Sequence, residues 1–260
     1  MRIYIGFDDT DTTDSNRGTG KLARWFENEL PATCRLWGVV RQQFLLDDAI
    51  PYTTHNSAAC AVIETSNSLT VEDLIPLAID HIERLFIPGS DPGLCIVPEG
   101  HPALSELTSF GRLCTKQIVT QEDALRAASG ARLSGHGGTN DGIIGAAAAV
   151  GLTSYGWGGR FIEFGRLRDF PERVPVAVLE RSGIAVVSID RDARVPAFED
   201  TVDTKAWLRP RLWGGRPVLP VIPGGQNLWQ TVEERKGKKH EKGGEQDGRE
   251  DFLQGTNQGG

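Results

Sequence analysis

The run Arg-Ile-Tyr-Ile-Gly-Phe at residues 2–7 passes directly into Asp-Asp-Thr-Asp and then, after Gly18, into a helical pattern. The run alternates and is rich in strand formers, so it reads as a β-strand. Leu22, Trp25, Phe26 and Leu30 fall on one helical face, and Pro31 stops the helix. A strand, a polar loop and a helix in this order are the unit of an α/β layer. In α/β proteins ligands bind beyond the carboxyl ends of strands, which is where Asp8, Asp9, Asp11 and Asp14 fall.

Carboxylates this close have two readings. They form a solvated turn whose side chains bond nearby backbone amides, or they are hard oxygen donors for Mg²⁺. That ion takes one or two carboxylates together with waters and substrate phosphates. Left unneutralised, the charges repel and raise some of the pKa values.

Farther along, strands are expected over residues 36–45 and 58–64, and a helix over 71–86 despite Pro76. A turn at 88–98 feeds a short strand, a helix follows over 121–128, and Gly135, Gly137 and Gly138 loosen a loop before a small-residue helix at 142–150. Residues 161–165 and 184–189 read as strands, followed by a stretch bearing Trp and Arg. The chain thus divides into an α/β region at 1–165, a small α+β region at 166–230 and a tail at 231–260. The tail has many glycines and almost no large apolar residue, so it is expected to be disordered.

The net charge of −7 argues against a broad basic surface. Cys34, Cys60, Cys95 and Cys114 form no Cys-x-x-Cys pair and read as reduced thiols. With no apolar leader and no run of membrane-spanning length, the expectation is a soluble, cytoplasmic protein.

Three further constellations carry chemistry. In Gly-His-Gly-Gly-Thr-Asn-Asp-Gly-Ile-Ile-Gly, spaced glycines admit an anion to backbone amides, or they simply allow close helix packing. Asn140 and Asp141 serve equally as helix caps or as polar groups of a site. The stretch is neither a Walker A loop nor Gly-x-Gly-x-x-Gly. The loop Pro-Tyr-Thr-Thr-His-Asn offers Thr54, His55 and Asn56 to a substrate, with His55 a potential proton shuttle. Arg209, Arg211 and Arg216 interleave with Trp207 and Trp213, a pattern that stacks on bases or anchors a small core. His81, His101 and His136 show no metal-ligand spacing.

Four of these pieces stand in one order: Phe-Asp-Asp-Thr-Asp with Gly18, then Pro51 and Thr54, then Asp91-Pro92-Gly93, then Gly142 through Gly151. Together they resemble the tRNA-isoleucine 2-agmatinylcytidine synthetases over roughly residues 1–155. The resemblance implies an atypical kinase-like α/β domain with a ferredoxin-like portion, and a reaction using ATP and Mg²⁺. It assigns Mg²⁺ to Asp8, Asp9 and Asp11. It places Gly18, Thr19, Gly138, Asn140, Gly142 and Gly145 at the nucleotide. Where the family carries a threonine that becomes phosphorylated, this chain has Gly20, Lys21 and Leu22; Thr19 lies out of register, and Lys21 or Arg17 supplies a cation for phosphate. The middle loop lacks the family's two basic residues. With the net charge of −7, this favours a small-molecule acceptor over a whole tRNA.

The leading expectation is therefore an ATP- and Mg²⁺-dependent phosphoryl- or adenylyl-transfer enzyme, with Asp8, Asp9, Asp11 and Lys21 as the catalytic set. One alternative is a haloacid-dehalogenase-type phosphohydrolase with Asp9 as nucleophile and Asp11 as general acid. The other is a non-catalytic nucleotide-binding protein.

Overall fold

A computed structural model describes residues 1–50, 55–65, 70–205 and 207–232. The architecture is mixed α/β, built on one large sheet with helices on both faces of its first part. Strand β1 (Arg2–Asp8) is its pivot. It pairs antiparallel with β3 (Ser57–Thr65) on one side and β4 (Gly93–Pro98) on the other. Outward from these lie β2 (Cys34–Gln43) beside β3 and β5 (Arg132–Gly135) beside β4.

The alternation in β1 is used on both sides. Ile3, Ile5 and Phe7 point into a core covered by α1 (Thr19–Trp25), the short 3₁₀ turn Phe26–Glu29 and α2 (Val71–Leu85). Tyr4 points the other way, into a core with Cys60, Val62, Cys95 and Val97, covered by α3 (Ala103–Cys114), α4 (Gln121–Ala127) and α5 (Gly142–Tyr155). A strand covered on both faces must be apolar on both, and β1 is buried from Ile3 to Phe7.

Helix α5 has no polar face, and a helix apolar all round belongs in the interior. Residues 145–153 are all buried. A side chain at Gly6 would strike the Ala146 carbonyl, and one at Gly151 would strike the Leu107 carbonyl of α3. Glycine therefore sets the closeness of α5 to β1 and to α3.

Helix α2 does form through Pro76, which lies on its exposed side, where the carbonyl deprived of a partner faces water. Thr70 and Asp73 close a capping box at its start. Helix α3 was not expected. Ser, Thr and Gly111 depress its propensity, but Gly111 is where α3 meets α5, since a Cβ there would lie 2.8 Å from the Ala148 carbonyl oxygen.

Strand β6 (Trp157–Glu163) pairs with β2 and passes the sheet on to β10 (Arg211–Trp213), β11 (Arg216–Gly225), β12 (Leu228–Thr231), β9 (Thr201–Asp203) and β7 (Arg173–Pro175). Strand β8 (Ala185–Ser188) pairs in parallel with β11. A third core gathers here around Phe161, Leu212, Trp229 and Leu179 of α6 (Val176–Arg181). Trp207 is stacked by Arg168 and Arg209, at 5.1 and 4.6 Å from its ring centre.

All four cysteines are free thiols, and burial pushes the pKa of Cys60 up to about 12. Among the described residues no helix is long and apolar enough to cross a membrane. The tail expectation from residue 233 onward, together with Pro51 and Thr54, lies outside the described residues.

Candidate functional site

The acidic loop and the small-residue helix, distant in sequence, meet. Asp8 ends β1 opposite Gly93 of β4. Gly145 of α5 stands so close that a Cβ there would run into the Asp8 carboxylate. Gly142 is equally constrained: a Cβ there would strike the Asp91 carbonyl, which already accepts a hydrogen bond from the Gly142 amide at 3.0 Å. The glycines of this helix start are thus required by packing against the very elements that carry the carboxylates.

Burial, then the charge of Asp9 and to a smaller extent that of Asp11, hold the Asp8 carboxyl well above the usual carboxylate range. Asp9 sits at φ +48°, a left-handed conformation that Asp tolerates better than most residues. Burial first, then the charges of Asp91, Asp11 and Asp141, push its pKa up to about 6. Asp91 and Asp141 were not among the expected ligands. Asp-Pro-Gly and Asn-Asp-Gly look like ordinary turns, and only the fold brings them to Asp9.

Asp91 also organises the glycine loop. Its carboxylate accepts from the Thr139 amide at 2.7 Å and the Thr139 hydroxyl at 2.8 Å. Gly138, at φ +57°, passes over that carboxylate with no room for a Cβ, and Asn140 follows at φ +67°. Gly138 and Asn140 therefore shape the approach to α5.

Asp11 faces α1. Its Oδ1 accepts from the Thr19 amide at 3.0 Å and the Thr19 hydroxyl at 3.1 Å. The Thr19 oxygen in turn accepts from the Thr10 amide at 3.2 Å. Asp11 thereby caps the first turn of α1 from within the loop, beside Gly18, whose missing side chain faces it. Thr19 is buried, so its hydroxyl is enclosed by this network.

Both anticipated cations turn toward Trp25. The Lys21 ammonium lies 5.0 Å from the ring centre and the Arg17 guanidinium 5.8 Å, while Arg17 also donates to the Leu85 carbonyl at 2.6 Å. Asp14 is exposed on the loop.

The substrate candidates separate. Thr54 lies outside the described residues. Asn56 donates to the Leu45 carbonyl at 2.8 Å and accepts from the Phe44 amide at 2.9 Å, extending the β2–β3 hairpin. His55 is exposed, and its pKa is lowered by partial burial and by nearby Arg41 and Arg160.

Among the described residues, no three His, Cys, Asp or Glu side chains are grouped so as to hold a metal ion by themselves. The donor chemistry fits a cation that needs fewer. Asp8 and Asp9 are crowded hard-oxygen donors whose mutual repulsion a divalent ion would relieve.

No protein-family model and no curated protein matches the chain. Among solved structures, a complex of TiaS with its isoleucine tRNA and ATP aligns with a TM-score of 0.51 at 23% identity, over 62% of this chain and 38% of that one. The chain carries a TiaS-like fold. A complex of TiaS with the same tRNA, AMPCPP and agmatine aligns at a TM-score of 0.49 and 24% identity, over 70% of this chain and 44% of that one. A tRNA fluorescent labeling enzyme aligns at 0.49 and 25%, over 58% and 36%. The chain spans less than half the length of each of these structures.

Proposed function

We propose that this chain is an ATP- and Mg²⁺-dependent phosphoryl- or adenylyl-transfer enzyme acting on a small acceptor in the cytoplasm. The observation that carries the reading is the docking of the Asp8–Asp9 loop against Gly145 at the start of α5. It is supported by the shared fold with TiaS, one of whose structures is a complex with tRNA and ATP.

In-line transfer to an acceptor needs chiefly positioning and charge neutralisation. Asp8 and Asp9 would hold Mg²⁺, which when bound neutralises phosphate charge in the transition state. The rest is done by the chain itself. Gly145 leaves room for the Asp8 carboxylate, the Asp91 carboxylate holds Thr139 of the glycine loop, and Asp11 ties the acidic loop to the first turn of α1 through Thr19. Lys21, exposed on α1 beside Trp25, would supply a mobile cation.

The same geometry disfavours the phosphohydrolase alternative, because its general acid, Asp11, is committed to Thr19. Calorimetric titration with ATP separates the readings. Saturable binding that requires Mg²⁺ and disappears in Asp9→Ala is expected, with no hydrolysis of a generic phosphate monoester. Metal-independent binding, absence of binding, or monoesterase activity lost with Asp9 would overturn the proposal. Binding without any turnover across a panel of acceptors would leave the non-catalytic alternative standing.

A further inference from the structure

A hydroxyl, an imidazole and a carboxylate stand in line beside the glycine loop. The Ser134 Oγ of β5 lies 2.9 Å from His136 Nε2, and His136 Nδ1 lies 3.0 Å from the Glu83 carboxylate of α2. The strand registers explain how Ser134 comes to face α2. It stands in a row with Leu94 of β4 and Phe7 of β1, and residues in register share a face of the sheet. Phe7 and Leu94 point into the core beneath α2, whereas Leu133 turns into the opposite core. Ser134 therefore points to the α2 side. His136 is fixed by its own backbone, whose amide donates to the Pro92 carbonyl at 2.8 Å.

The chemistry of the three groups sets the direction of the chain. An ionised carboxylate only accepts hydrogen bonds, so beside Glu83 it is Nδ1 that carries the ring proton of a neutral imidazole. Nε2 is then the lone-pair nitrogen, and the Ser134 hydroxyl donates to it. This is the order of a nucleophile, a general base and an orienting carboxylate. The His136 side chain is only 6% exposed, which shields the base, while Ser134 is half-buried and keeps its hydroxyl within reach of a ligand. The three groups have no part in the proposed ATP-dependent transfer.

The surroundings select the substrate. Glu83 borders the relay on one side, and Asp91, which holds Thr139 at the far end of the glycine loop, borders it on the other. Negative charge there repels an anionic phosphate ester but not a neutral carboxylic ester. We propose that Ser134, His136 and Glu83 form a hydrolytic site for neutral carboxylic esters. Ser134 Oγ attacks the ester carbonyl while its proton passes to His136 Nε2. The bond to the alcohol oxygen breaks, and the alcohol leaves with that proton. Water then gives a proton to the same nitrogen and attacks the acyl-Ser134 carbonyl, and the acid departs as the proton returns to Ser134. Ser134 and His136 are catalytic residues, and Glu83 is a positioning residue.

The test treats the full chain with a fluorophosphonate, in the absence of ATP and Mg²⁺, and follows p-nitrophenyl acetate hydrolysis in parallel. Attack by Ser134 forms an Oγ–P bond and expels fluoride, and peptide mass spectrometry locates the adduct. An adduct on Ser134 and ester hydrolysis above the spontaneous rate are expected, both lost in Ser134→Ala. His136→Gln should slow labelling about a hundredfold, the scale of general-base catalysis. Glu83→Ala, a change at an exposed position, should slow it at least about tenfold, and Glu83→Asp should recover part of the loss. Circular dichroism and thermal melting confirm that the variants fold. An unlabelled Ser134 in the parent overturns the inference. So does labelling that proceeds at the parent's rate in both His136→Gln and Glu83→Ala, or ester hydrolysis that survives Ser134→Ala.

Discussion

Gly145→Ala is expected to lower Mg²⁺–ATP affinity by about tenfold or more and to lower the melting temperature. The added methyl would occupy the place of the Asp8 carboxylate. Helix α5 has little room to retreat, because its Ala146 carbonyl rests on Gly6 and its Gly151 rests on α3. Asp8 must therefore swing away, and overpacking of this kind typically costs about 1–3 kcal/mol. The double variant Asp8→Ala/Gly145→Ala removes the clash. It should regain much of the stability while remaining unable to bind Mg²⁺–ATP, a coupling that a double-mutant cycle of melting and titration measures directly. A Gly145→Ala protein that melts and binds like the parent would show that Asp8 does not act beneath α5.

Asp9→Asn is expected to stabilise the metal-free protein at neutral pH and to abolish Mg²⁺–ATP binding. The sign follows from linkage. The folded-state pKa of Asp9 is raised to about 6, above an unfolded value of about 3.9. The folded state therefore holds its proton more tightly than the unfolded state. Stability is greatest below the ordinary carboxylate range and is lost as pH rises from about 4 to about 6. Asp8 is shifted in the same direction. Asparagine removes the charge and is at ease at the positive φ of this position. Melting curves between pH 4 and pH 8 should thus be flatter for Asp9→Asn than for the parent. Added Mg²⁺ should raise the neutral-pH stability of the parent alone. A variant less stable than the parent at pH 7, or one with the same pH slope, contradicts this electrostatic picture.

In the proposed reading, carboxylates held close enough to serve a cation destabilise the fold that holds them. The sequence shows which carboxylates are involved only in part. Asp8 and Asp9 stand out because they end an alternating strand. Asp91 and Asp141 do not stand out as partners of Asp9: Asp91 reads as part of a turn, and Asp141 reads equally as a helix cap or as a polar group of a site. Their proximity to Asp9 depends on the β1–β4 register and on the docking of α5, neither of which has a local signature. Asp11 was legible as an acidic loop residue, yet its bond to Thr19 depends on how the loop folds back.

Helix α5 was legible because so long a run of small apolar residues has no other place than an interior. Helix α3 was not, because its helix-weakening residues are compensated only by contact with α5. In β11, Pro217, Pro220 and Pro223 hide a strand that nevertheless pairs with β10, β12 and β8. The alignment of three arginines across β2, β6 and β10 is the extreme case. Arg211 was noticed beside tryptophans, whereas its partners Arg41 and Arg160 come from two other strands, and only the registers align them.

The most direct measurement replaces Mg²⁺ with paramagnetic Mn²⁺ in the presence of ATP and follows backbone amide signals by NMR. Selective broadening of Asp8, Asp9 and Thr10 together with Gly142 to Ala146 is the expected result, since one metal–nucleotide complex would lie between the loop and α5. Mn²⁺–ATP that binds while broadening signals elsewhere, or only one of these two segments, would contradict a shared site.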